Sequence, residues 1–576
     1  MLVDNRIRED AAAAREQFLR EDTQPQSRLA HVELAPPKAR QVAPNEDVER
    51  PEKPPSFLVH AQQKMERLPV AVIAITMGLI TLIIHGYRVN VAPDVFSDEG
   101  LYLQVGISLA RGYGLVVNHQ VFLWHPPVYM LLEAAYIRLT GLTYADPLTT
   151  LLAVRNVNIF FSALTAMLIV LFGRKLHSRT VGVVAATIFI LDPYVQRINR
   201  RNMLETVVIF FVLLGLYLFF TRQPRLTKWQ CIGSGIAFGL ALLTKEVVLP
   251  EIFVLVAYTI FFNRGQIRDL IWVCAIASLF YLIYPLAMIA SGQGDAYLTF
   301  KFFGVTRVIS LVSGQQAAPP KGTYLPAANK VSLLHTVVAR LAPYGTSYLL
   351  IGCGAAFTLV LLIHFKGVMS ARYLLVWCVF SLAFGSVLIN ISDQYAYFLV
   401  VPSTIVVGYV LVVLIEEIVH APLPGKIALR GGALLPWFSV QYRAMWRPIT
   451  ATLLIILVYN SYLWAQTYGL GRDDGYIKTM RYITAHIPTG TTIVTSDDVA
   501  VYLLPATYNI RLDRDEQVIT RAHTCYFIMS SKDAAGQYDA MTPDFYEWIM
   551  EGTYPLFEQS GSSFGEIGLY KGPCKA

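Results

Sequence analysis

The sequence predicts a polytopic α-helical membrane protein that ends in a small α/β domain. Three observations support this class. Of the 576 residues, 55% are apolar and only 15% are charged, against roughly a quarter charged in ordinary soluble domains. The mean hydropathy is +0.47, and apolar segments of membrane-spanning length recur along the chain. A soluble chain of this composition could not cover its surface with polar side chains, which excludes a string of soluble domains.

The N-terminal region is polar. Residues 1–68 are proline-rich and lack apolar periodicity, which predicts a disordered cytoplasmic arm. The first long apolar segment, roughly 69–88, begins too far along the chain to be the core of a cleavable signal peptide. It predicts an uncleaved signal-anchor helix.

Ten further apolar segments follow, and with the first they predict about eleven transmembrane helices within a membrane domain of residues 69–467. These segments lie near residues 154–173, 180–196, 204–220, 230–246, 247–262, 269–290, 346–365, 371–391, 394–416 and 448–467. The segment from His125 to Leu139 is short and carries Glu133 and Arg138, which are costly at a bilayer centre. It predicts a helix that lies along the membrane surface.

The charge distribution predicts the topology. The net charge is −1 in residues 1–68, +13 in 69–471 and −5 in 472–576. With a cytoplasmic N-terminus and eleven spans, the basic clusters of the middle region fall in cytoplasmic loops, as the positive-inside rule requires. These clusters are Arg174 and Lys175; Arg222, Arg225 and Lys228; Arg264 and Arg268; Lys366 and Arg372; and Lys426, Arg430, Arg443 and Arg447. Basic charge in such loops does not indicate a nucleic-acid binder.

The same topology places three regions outside a plasma membrane: the loops 89–153 and 291–345, and the tail 468–576. The tail reads as an external α/β domain. Its predicted elements are a helix at Lys478 to His486, a strand at Thr492 to Ser496, a buried strand at Tyr526 to Ser530 and a helix at Pro543 to Met550. Cys525 and Cys574 also lie in the tail, where an oxidising exterior permits a disulfide without requiring one.

The strongest chemical signal is the pair Asp98 and Glu99, directly after the first span. Adjacent carboxylates at a membrane boundary are costly, which favours a functional role. A helix start explains the same residues structurally, with Ser97 as the cap and two acids in the first turn. Both readings can hold, because a capped helix presents a carboxylate rigidly. His125 opens the surface helix on the same side, although a lone histidine is more often structural.

Charged residues also collect at the outer junction of the third and fourth spans. Asp192, Arg197, Arg200, Arg201 and Glu205 occur there within fourteen residues. Three arginines outside the membrane break the positive-inside rule, and guanidinium groups suit phosphate because they bind it bidentately. Snorkelling of the arginines to lipid headgroups is the alternative, but it explains one arginine better than three beside two acids.

Lys245 and Glu246 lie at a further outer helix end. They would supply another phosphate cation with a partner carboxylate, or form a simple ion pair. Acids and cations from separate helices thus converge on one membrane face, while the helix centres are nearly free of charge. A channel or pump would instead place ionisable residues near the midplane.

The order of these motifs resembles that of the GT-C superfamily of membrane glycosyltransferases. The motifs that carry the likeness are Asp98-Glu99, His125-Pro126-Pro127, the series Asp192, Arg200 and Glu205, and the segment from Gly239 to Lys245. They are most similar to the protein O-mannosyltransferase family and its bacterial relatives, including lipid A aminoarabinose transferase. The likeness covers roughly residues 69–265; beyond that it rests on the number of spans and on the pattern Gln394-Tyr395-Ala396-Tyr397 before Pro402.

The resemblance implies inverting transfer of a monosaccharide from a polyprenyl-phosphate donor to a hydroxyl acceptor on the outer face. The family's general base is a loop aspartate, at the position of Asp98 here, with Glu99 beside it. Arg200, Arg201 and Lys245 would bind the donor phosphate. Supporting residues would be His125, Asp192, Arg197, Glu205 and Glu246. The family usually has aspartate where this chain has Glu205.

The resemblance leaves the acceptor open between lipid, glycan and protein, and protein is not favoured because the chain has no room for the MIR-type domain of eukaryotic protein mannosyltransferases. The reaction requires no cofactor, and Asp98 and Glu99 would be the ligands if a divalent metal took part. The expected partners are the lipid-linked donor, the acceptor and membrane lipids. Two other classes remain: a transporter or flippase of lipid-linked sugars, and a non-catalytic subunit whose tail binds a partner.

Overall fold

The computed structural model describes most of the chain from residue 66 onward. The described residues are 66–118, 120–221, 223, 225–313, 345–363, 368–388, 393–420, 455, 458–495, 498–512, 525–531, 543–561 and 563–572. The predicted arm 1–68 therefore lies almost entirely outside the described residues. So do Cys574 and residues 448–454, 456 and 457 of the predicted span 448–467.

In the described residues up to 420 the chain is almost wholly helical. The helices are α1 (Val70–Gly86), α2 (Ser97–Arg111), α3 (Val128–Leu139), α4 (Pro147–Leu176), α5 (Arg179–Leu191), α6 (Pro193–Asn199), α7 (Leu204–Phe219), α8 (Lys228–Leu242), α9 (Leu249–Phe262), α10 (Ile267–Ala290), α11 (Gly294–Ser313), α12 (Gly345–Ile363), α13 (Met369–Leu388) and α14 (Tyr397–His420). A short hairpin of β1 (Val116–Val117) and β2 (Gln120–Val121) separates α2 from α3.

Local sequence explains where the helices begin. The Asp146 side chain accepts the N–H of Thr149 at 3.0 Å, and Pro147 occupies the first turn of α4. An acid cap followed by proline satisfies or removes the N–H groups that a helix leaves unpaired at its start. Ser178 caps α5 in the same way. Asp192 lies between α5 and α6, and its side chain caps α6 by accepting the N–H of Val195.

The helices α4 and α5 cross at a pair of glycines. Gly173 of α4 faces Gly182 of α5, and a Cβ atom built on Gly182 would overlap the backbone of Val170. No larger residue fits such a crossing without moving one helix. The buried core around this crossing continues into α7, α13 and α14.

Among the described residues, three helices are long and apolar enough to cross a membrane. They are Pro147–Leu176, Arg264–Ala290 and Gln394–Val413. The pair α5 and α6 bends by 71° and would make a fourth if it is one broken span. Shorter apolar helices lie at α1, α7, α12 and α13. The predicted count of eleven spans stays a prediction.

Most predicted membrane segments coincide with one described helix each. Two segments differ. The predicted span 180–196 is broken at Asp192, where the side-chain cap of α6 interrupts the helix. The predicted loop 291–345 contains the helix α11, and Lys301 lies in the first half of that helix. The predicted surface helix is present as α3.

The C-terminal α/β segment, residues 475–571, contains one mixed sheet. Its elements are α15 (Gly475–His486), β3 (Thr492–Thr495), α16 (Asp498–Leu503), β4 (Asn509–Arg511), β5 (Tyr526–Ser530), α17 (Pro543–Met550), β6 (Tyr554–Gly561) and β7 (Gly565–Lys571). The strand order is β4-β3-β5-β7-β6. Strand β3 pairs in parallel with β4 and β5, whereas β7 is antiparallel to β5 and β6.

The four elements predicted for the tail are all present, and β4, α16, β6 and β7 were not predicted. The segment shares a buried apolar cluster with the first loop, in which Leu103 and Ile107 of α2 join Ile477 and Met480 of α15. Cys525 is disulfide-bonded, while Cys231, Cys274, Cys353 and Cys378 are free thiols.

Candidate active site

Asp98 and Glu99 begin α2 but have separate sets of partners. The N–H of Phe96 donates to Glu99 Oε1 at 2.9 Å, which closes the first turn of the helix. Glu99 is fully buried, and its two oxygens accept Nε and Nη2 of Arg155, each at 2.9 Å. The backbone N–H of Asn202 also donates to Glu99, at 2.7 Å. Glu99 is therefore held in a bidentate ion pair, whereas Asp98 contacts other residues.

Asp98 faces residues from three other parts of the chain. The Tyr102 hydroxyl lies 3.4 Å from Asp98 Oδ2, and Gln394 hydrogen-bonds the same carboxylate. Burial raises the pKa of Asp98 from 3.8 to about 6. The positive charge of Lys245 opposes this rise, and Glu205 adds to it. A carboxylate that ionises just below neutral pH is suited to accept a proton.

Lys245 is the first cation of the site. It follows α8, and its ammonium donates to Glu205 Oε1 at the start of α7 in a fully buried ion pair. The ammonium also lies 4.6 Å from the centre of the Tyr395 ring. The predicted convergence of Lys245 and Glu205 is thus observed, and both lie close enough to Asp98 to affect its pKa.

A second ion pair lies nearby and is more open to solvent. Lys301 Nζ is 2.6 Å from Glu246 Oε2, and the two side chains are 21% and 25% exposed. The other oxygen of Glu246 accepts the Tyr281 hydroxyl at 2.9 Å. Lys301 lies on α11, and its ammonium sits 5.5 Å from the centre of the Tyr297 ring.

His125 lies close enough to both lysines for their charges to affect its pKa. Its ring packs edge-on against Tyr102, with centroids 5.7 Å apart. Burial, followed by the charges of Lys245 and Lys301, holds the pKa of His125 well below its usual range. The imidazole is therefore neutral at physiological pH, with one nitrogen as donor and the other as acceptor.

The two predicted phosphate-binding arginines hold the first loop, and Arg200 does so through backbone carbonyls. Arg200 is buried, and its guanidinium donates to the carbonyls of Ile84 at 3.1 Å, Tyr87 at 2.6 Å and Ala92 at 2.8 Å. Its face lies 4.5 Å from the Tyr468 ring centre. These bonds tie α6 to the chain that follows α1.

Arg201 has a similar environment. Its Nε donates to the Asp94 carbonyl at 3.1 Å, and its Nη2 donates to Ser563 Oγ at 3.2 Å. A weaker ion pair joins it to Glu99 at 3.7 Å. Arg201 thus connects the first loop with the C-terminal α/β segment.

Asp192 precedes α6, and Arg197 lies within it. Asp192 caps that helix and accepts the Ser347 hydroxyl at 2.8 Å. Arg197 is half-buried on the same helix. The structure groups Asp98, Lys245, Glu205, Glu246 and His125 with one another. The described hydrogen bonds of Asp192, Arg200 and Arg201 lead elsewhere.

Several polar residues of the site were not predicted. Lys301 is in a region predicted as a loop, and Gln394 was noted only as part of a helix-opening pattern. Arg155 lies within a predicted span, where an arginine signals an internal partner. That signal could have identified the Glu99 pair.

Asn202 and Glu133 were also missed as a network. Asn202 donates through its side chain to Glu133 and accepts the Tyr129 hydroxyl. Burial raises the pKa of Glu133 from 4.5 to about 8. One oxygen of Glu133 is buried without a hydrogen-bond partner, as fits a carboxyl that remains protonated.

No group of three His, Cys, Asp or Glu residues suited to a metal ion occurs in the part of the chain that the structure describes. Asp98 and Glu99, the pair predicted as ligands of any divalent metal, do not fit that role. Both Glu99 oxygens accept from Arg155, and Asp98 has its own partners. No step of the proposed reaction is derived through a metal.

One protein family matches part of the chain. Residues 124–290 match the family model described as dolichyl-phosphate-mannose-protein mannosyltransferase. This match includes His125, Lys245 and Glu246. No curated protein sequence matches the chain.

Solved structures with the same architecture are membrane glycosyltransferases. The oligosaccharyltransferase of Archaeoglobus fulgidus in the apo form has a TM-score of 0.53 and 13% identity over 86% of this chain and 74% of that chain. ArnT of Cupriavidus metallidurans in the apo state has a TM-score of 0.52 and 13% identity over 87% of this chain and 97% of that chain. The same ArnT bound to undecaprenyl phosphate has a TM-score of 0.50 and 14% identity over 87% and 97%.

The fold is that of the GT-C membrane glycosyltransferases. At these identities the structural likeness defines the fold alone, and the family match is confined to residues 124–290. The resemblance indicated by the sequence motifs is thereby confirmed.

Proposed function

We propose that this chain is an inverting glycosyltransferase that moves a monosaccharide from a polyprenyl-phosphate donor to an acceptor hydroxyl on the non-cytoplasmic side of the membrane. The observation that carries the proposal is the arrangement around Asp98. Asp98, with a pKa of about 6, contacts Tyr102 and Gln394 and is close enough to Lys245 for that charge to lower its pKa. The neutral His125 packs on Tyr102 and is affected by the charges of Lys245 and Lys301. The fold and the family match support a lipid-linked donor.

The proposed reaction uses Asp98 as general base. Its carboxylate takes the proton of the acceptor hydroxyl as the oxygen attacks the anomeric carbon. The bond between that carbon and the phosphate oxygen breaks on the opposite face, so the configuration inverts. The polyprenyl phosphate leaves with the bonding electrons.

The cations would stabilise the charge that grows on the departing phosphate. Lys245 keeps the role expected from the sequence, and Lys301 adds a more exposed cation whose charge also affects His125. Arg200 and Arg201 are assigned instead to holding the first loop, because Arg200 donates to three backbone carbonyls and Arg201 connects Asp94 of that loop with Ser563. The acceptor stays open between lipid, glycan and protein.

The test is transfer from a radiolabelled polyprenyl-phosphate sugar by the purified full chain in detergent, with and without a chelator. Asp98→Asn should lower kcat by at least about a hundredfold, the lower range for loss of a general base. Donor binding should persist, because the lysines are unchanged. Asp146→Asn makes the same change at the exposed cap of α4, outside the site; it serves as the matched control and should retain transfer.

Two outcomes would contradict the proposal. Turnover by Asp98→Asn equal to that of the wild type would exclude Asp98 as the base. Movement of the donor across vesicle membranes without transfer would favour the flippase alternative. Equal rates with and without the chelator are expected if no metal takes part.

A further inference from the structure

The helix that carries Asp98 has a second face, which packs against the C-terminal α/β segment. A Cβ atom built on Gly100 would lie 2.7 Å from the Cβ of Tyr502, so only glycine permits this approach. The Gln104 side-chain amide donates to the Tyr502 carbonyl. Leu103 shares a buried apolar cluster with Ile477. Movement of the segment would therefore move α2.

Asp94 joins the two parts directly. It precedes Asp98 by four residues and is fully buried. Its carboxylate accepts the backbone N–H groups of Tyr476 at 2.7 Å and Ile477 at 3.3 Å. Those groups belong to the first turn of α15, where a helix leaves its N–H groups without internal partners. A residue of the first loop thus caps a helix of the C-terminal segment.

Asp473 makes the reciprocal connection. Its backbone N–H donates to the Val91 carbonyl at 3.0 Å, and its carboxylate accepts the Asp94 N–H at 3.1 Å. It also accepts the Ser563 N–H at 2.8 Å. Together with the two hydrogen bonds of Arg201 to Asp94 and Ser563, these contacts form a closed network between the loop and the segment.

The chemistry of Asp94 suits a fixed hydrogen-bond acceptor. Burial, followed by the nearby Asp473, raises the pKa of Asp94 well above its usual range. Both oxygens of Asp94 accept backbone N–H groups, Oδ1 from Val95 and Ile477 and Oδ2 from Tyr476. An asparagine keeps one of these two acceptors, whereas a leucine of similar size keeps neither.

We propose that Asp94 is a positioning residue for the transfer reaction: by capping α15 it fixes the C-terminal α/β segment on α2 and so holds Asp98 beside Lys245. This inference rests on the proposed function. It assigns the segment a part in catalysis without any contact to substrate.

The kinetic test compares Asp94→Leu with Asp94→Asn in the full chain. Because a small displacement of a reacting group can reduce the rate by orders of magnitude, Asp94→Leu should lower kcat by at least about tenfold. The KM for the lipid-linked donor should change by less than about twofold, since the lysines are untouched. Asp94→Asn, which keeps one of the two acceptors, should recover most of the kcat lost in Asp94→Leu.

A matched control separates this effect from the loss of any helix cap. Asp146→Leu removes the cap of α4, whose N–H partner is Thr149. It should leave kcat unchanged. Equal losses in Asp146→Leu and Asp94→Leu, a wild-type kcat in Asp94→Leu, or no rescue by asparagine would each overturn the proposal.

Hydrogen exchange gives a readout that does not depend on activity. Residues 97–103 should exchange faster in Asp94→Leu than in the wild type, while residues 267–290 should not change. If the wild type transfers no sugar, the proposed function fails, and the exchange rates still test the coupling. Unchanged exchange in residues 97–103 would overturn the coupling even in an active enzyme.

Gly100→Ala provides a second variant if Asp94→Leu does not fold. The added methyl group meets Tyr502 without removing any hydrogen bond. It should reduce kcat in the same manner, with little change in the donor KM. A wild-type kcat in a folded Gly100→Ala protein would contradict the coupling.

Discussion

The ionisation of Asp98 depends on a balance of neighbours. Burial and Glu205 raise its pKa, while Lys245 and two hydrogen bonds lower it. A general base acts only when ionised, so turnover should rise with pH as Asp98 loses its proton near pH 6. The charges of Lys245 and Glu205 therefore shift the lower pH limit of the reaction in opposite directions.

Two variants, each of which removes one charge, test the directions in which Lys245 and Glu205 shift the pKa of Asp98. Lys245→Gln removes the charge that lowers the pKa of Asp98, so the acid limb of the kcat–pH profile should move to higher pH. Glu205→Gln removes a charge that raises this pKa, so the limb should move to lower pH. Shifts in the same direction, or no shift in either variant, would show that the limb belongs to another group.

Glu133 illustrates a buried acid without a charged partner. Its folded pKa, about 8, lies above its unfolded value of 4.5. The folded state therefore holds the proton more tightly, and the free energy of unfolding should fall as pH rises from about 4.5 to about 8.

Glu133→Gln should remove this pH dependence. The amide keeps the hydrogen bond with Asn202 and cannot ionise, so the variant should be more stable than the wild type above about pH 8. Thermal unfolding across this pH range measures the effect. Parallel stability profiles for the two proteins would mean that Glu133 does not titrate with unfolding.

At the scale of elements, the closest helix crossing is that of α4 and α5. The glycines there let two backbones touch, and a side chain would force the helices apart. Such overpacking typically costs about 1–3 kcal/mol.

Gly182→Ala should therefore lower the free energy of unfolding by about 1–3 kcal/mol. Gly86→Ala is the matched control, because a Cβ atom there meets no heavy atom within 4 Å. It should be neutral or slightly stabilising, as alanine favours helices. Thermal unfolding in detergent measures the stability of both variants. Equal melting temperatures would contradict the close approach of α4 and α5 at Gly182.

Element type was predictable where one local signal dominates. Long apolar segments gave helices, and the turn chemistry of the tail gave β3, β5, α15 and α17 close to their observed limits. The strands β6 and β7 escaped prediction because glycine and polar residues interrupt their alternation, and their pairing with β5 is tertiary. The bend at Asp192 arises from a side-chain cap within an apolar segment, which hydropathy averages out.

The candidate site was predictable in part for a related reason. Charged residues at helix ends were visible one by one, so Asp98, Lys245 and Glu205 were identified. Which cation meets which acid depends on helix packing. The sequence motifs alone therefore did not separate Glu99, which pairs with Arg155, from Asp98, which does not. Nor did they indicate that Arg200 would be occupied by backbone carbonyls.

At the scale of the whole molecule, the orientation in the membrane can be tested directly. Ala485 in α15 and Gly265 before α10 are both exposed. With the predicted topology, Ala485→Cys should react with a membrane-impermeant maleimide in intact cells. Gly265→Cys should react only after permeabilisation. The reverse pattern would exclude an outward-facing C-terminal segment.

The length of α4 has a consequence for where the chemistry occurs. Its 30 residues extend about 45 Å, whereas the hydrocarbon core of a bilayer is about 30 Å thick. With its C-terminal end level with one edge of that core, about ten residues of its first part rise above the other edge. Arg155 lies in this first part and holds α2, the helix that carries Asp98, through its ion pair with Glu99. In that placement α4 would hold Asp98 at the level of the lipid headgroups, which is where the phosphate of a lipid lies.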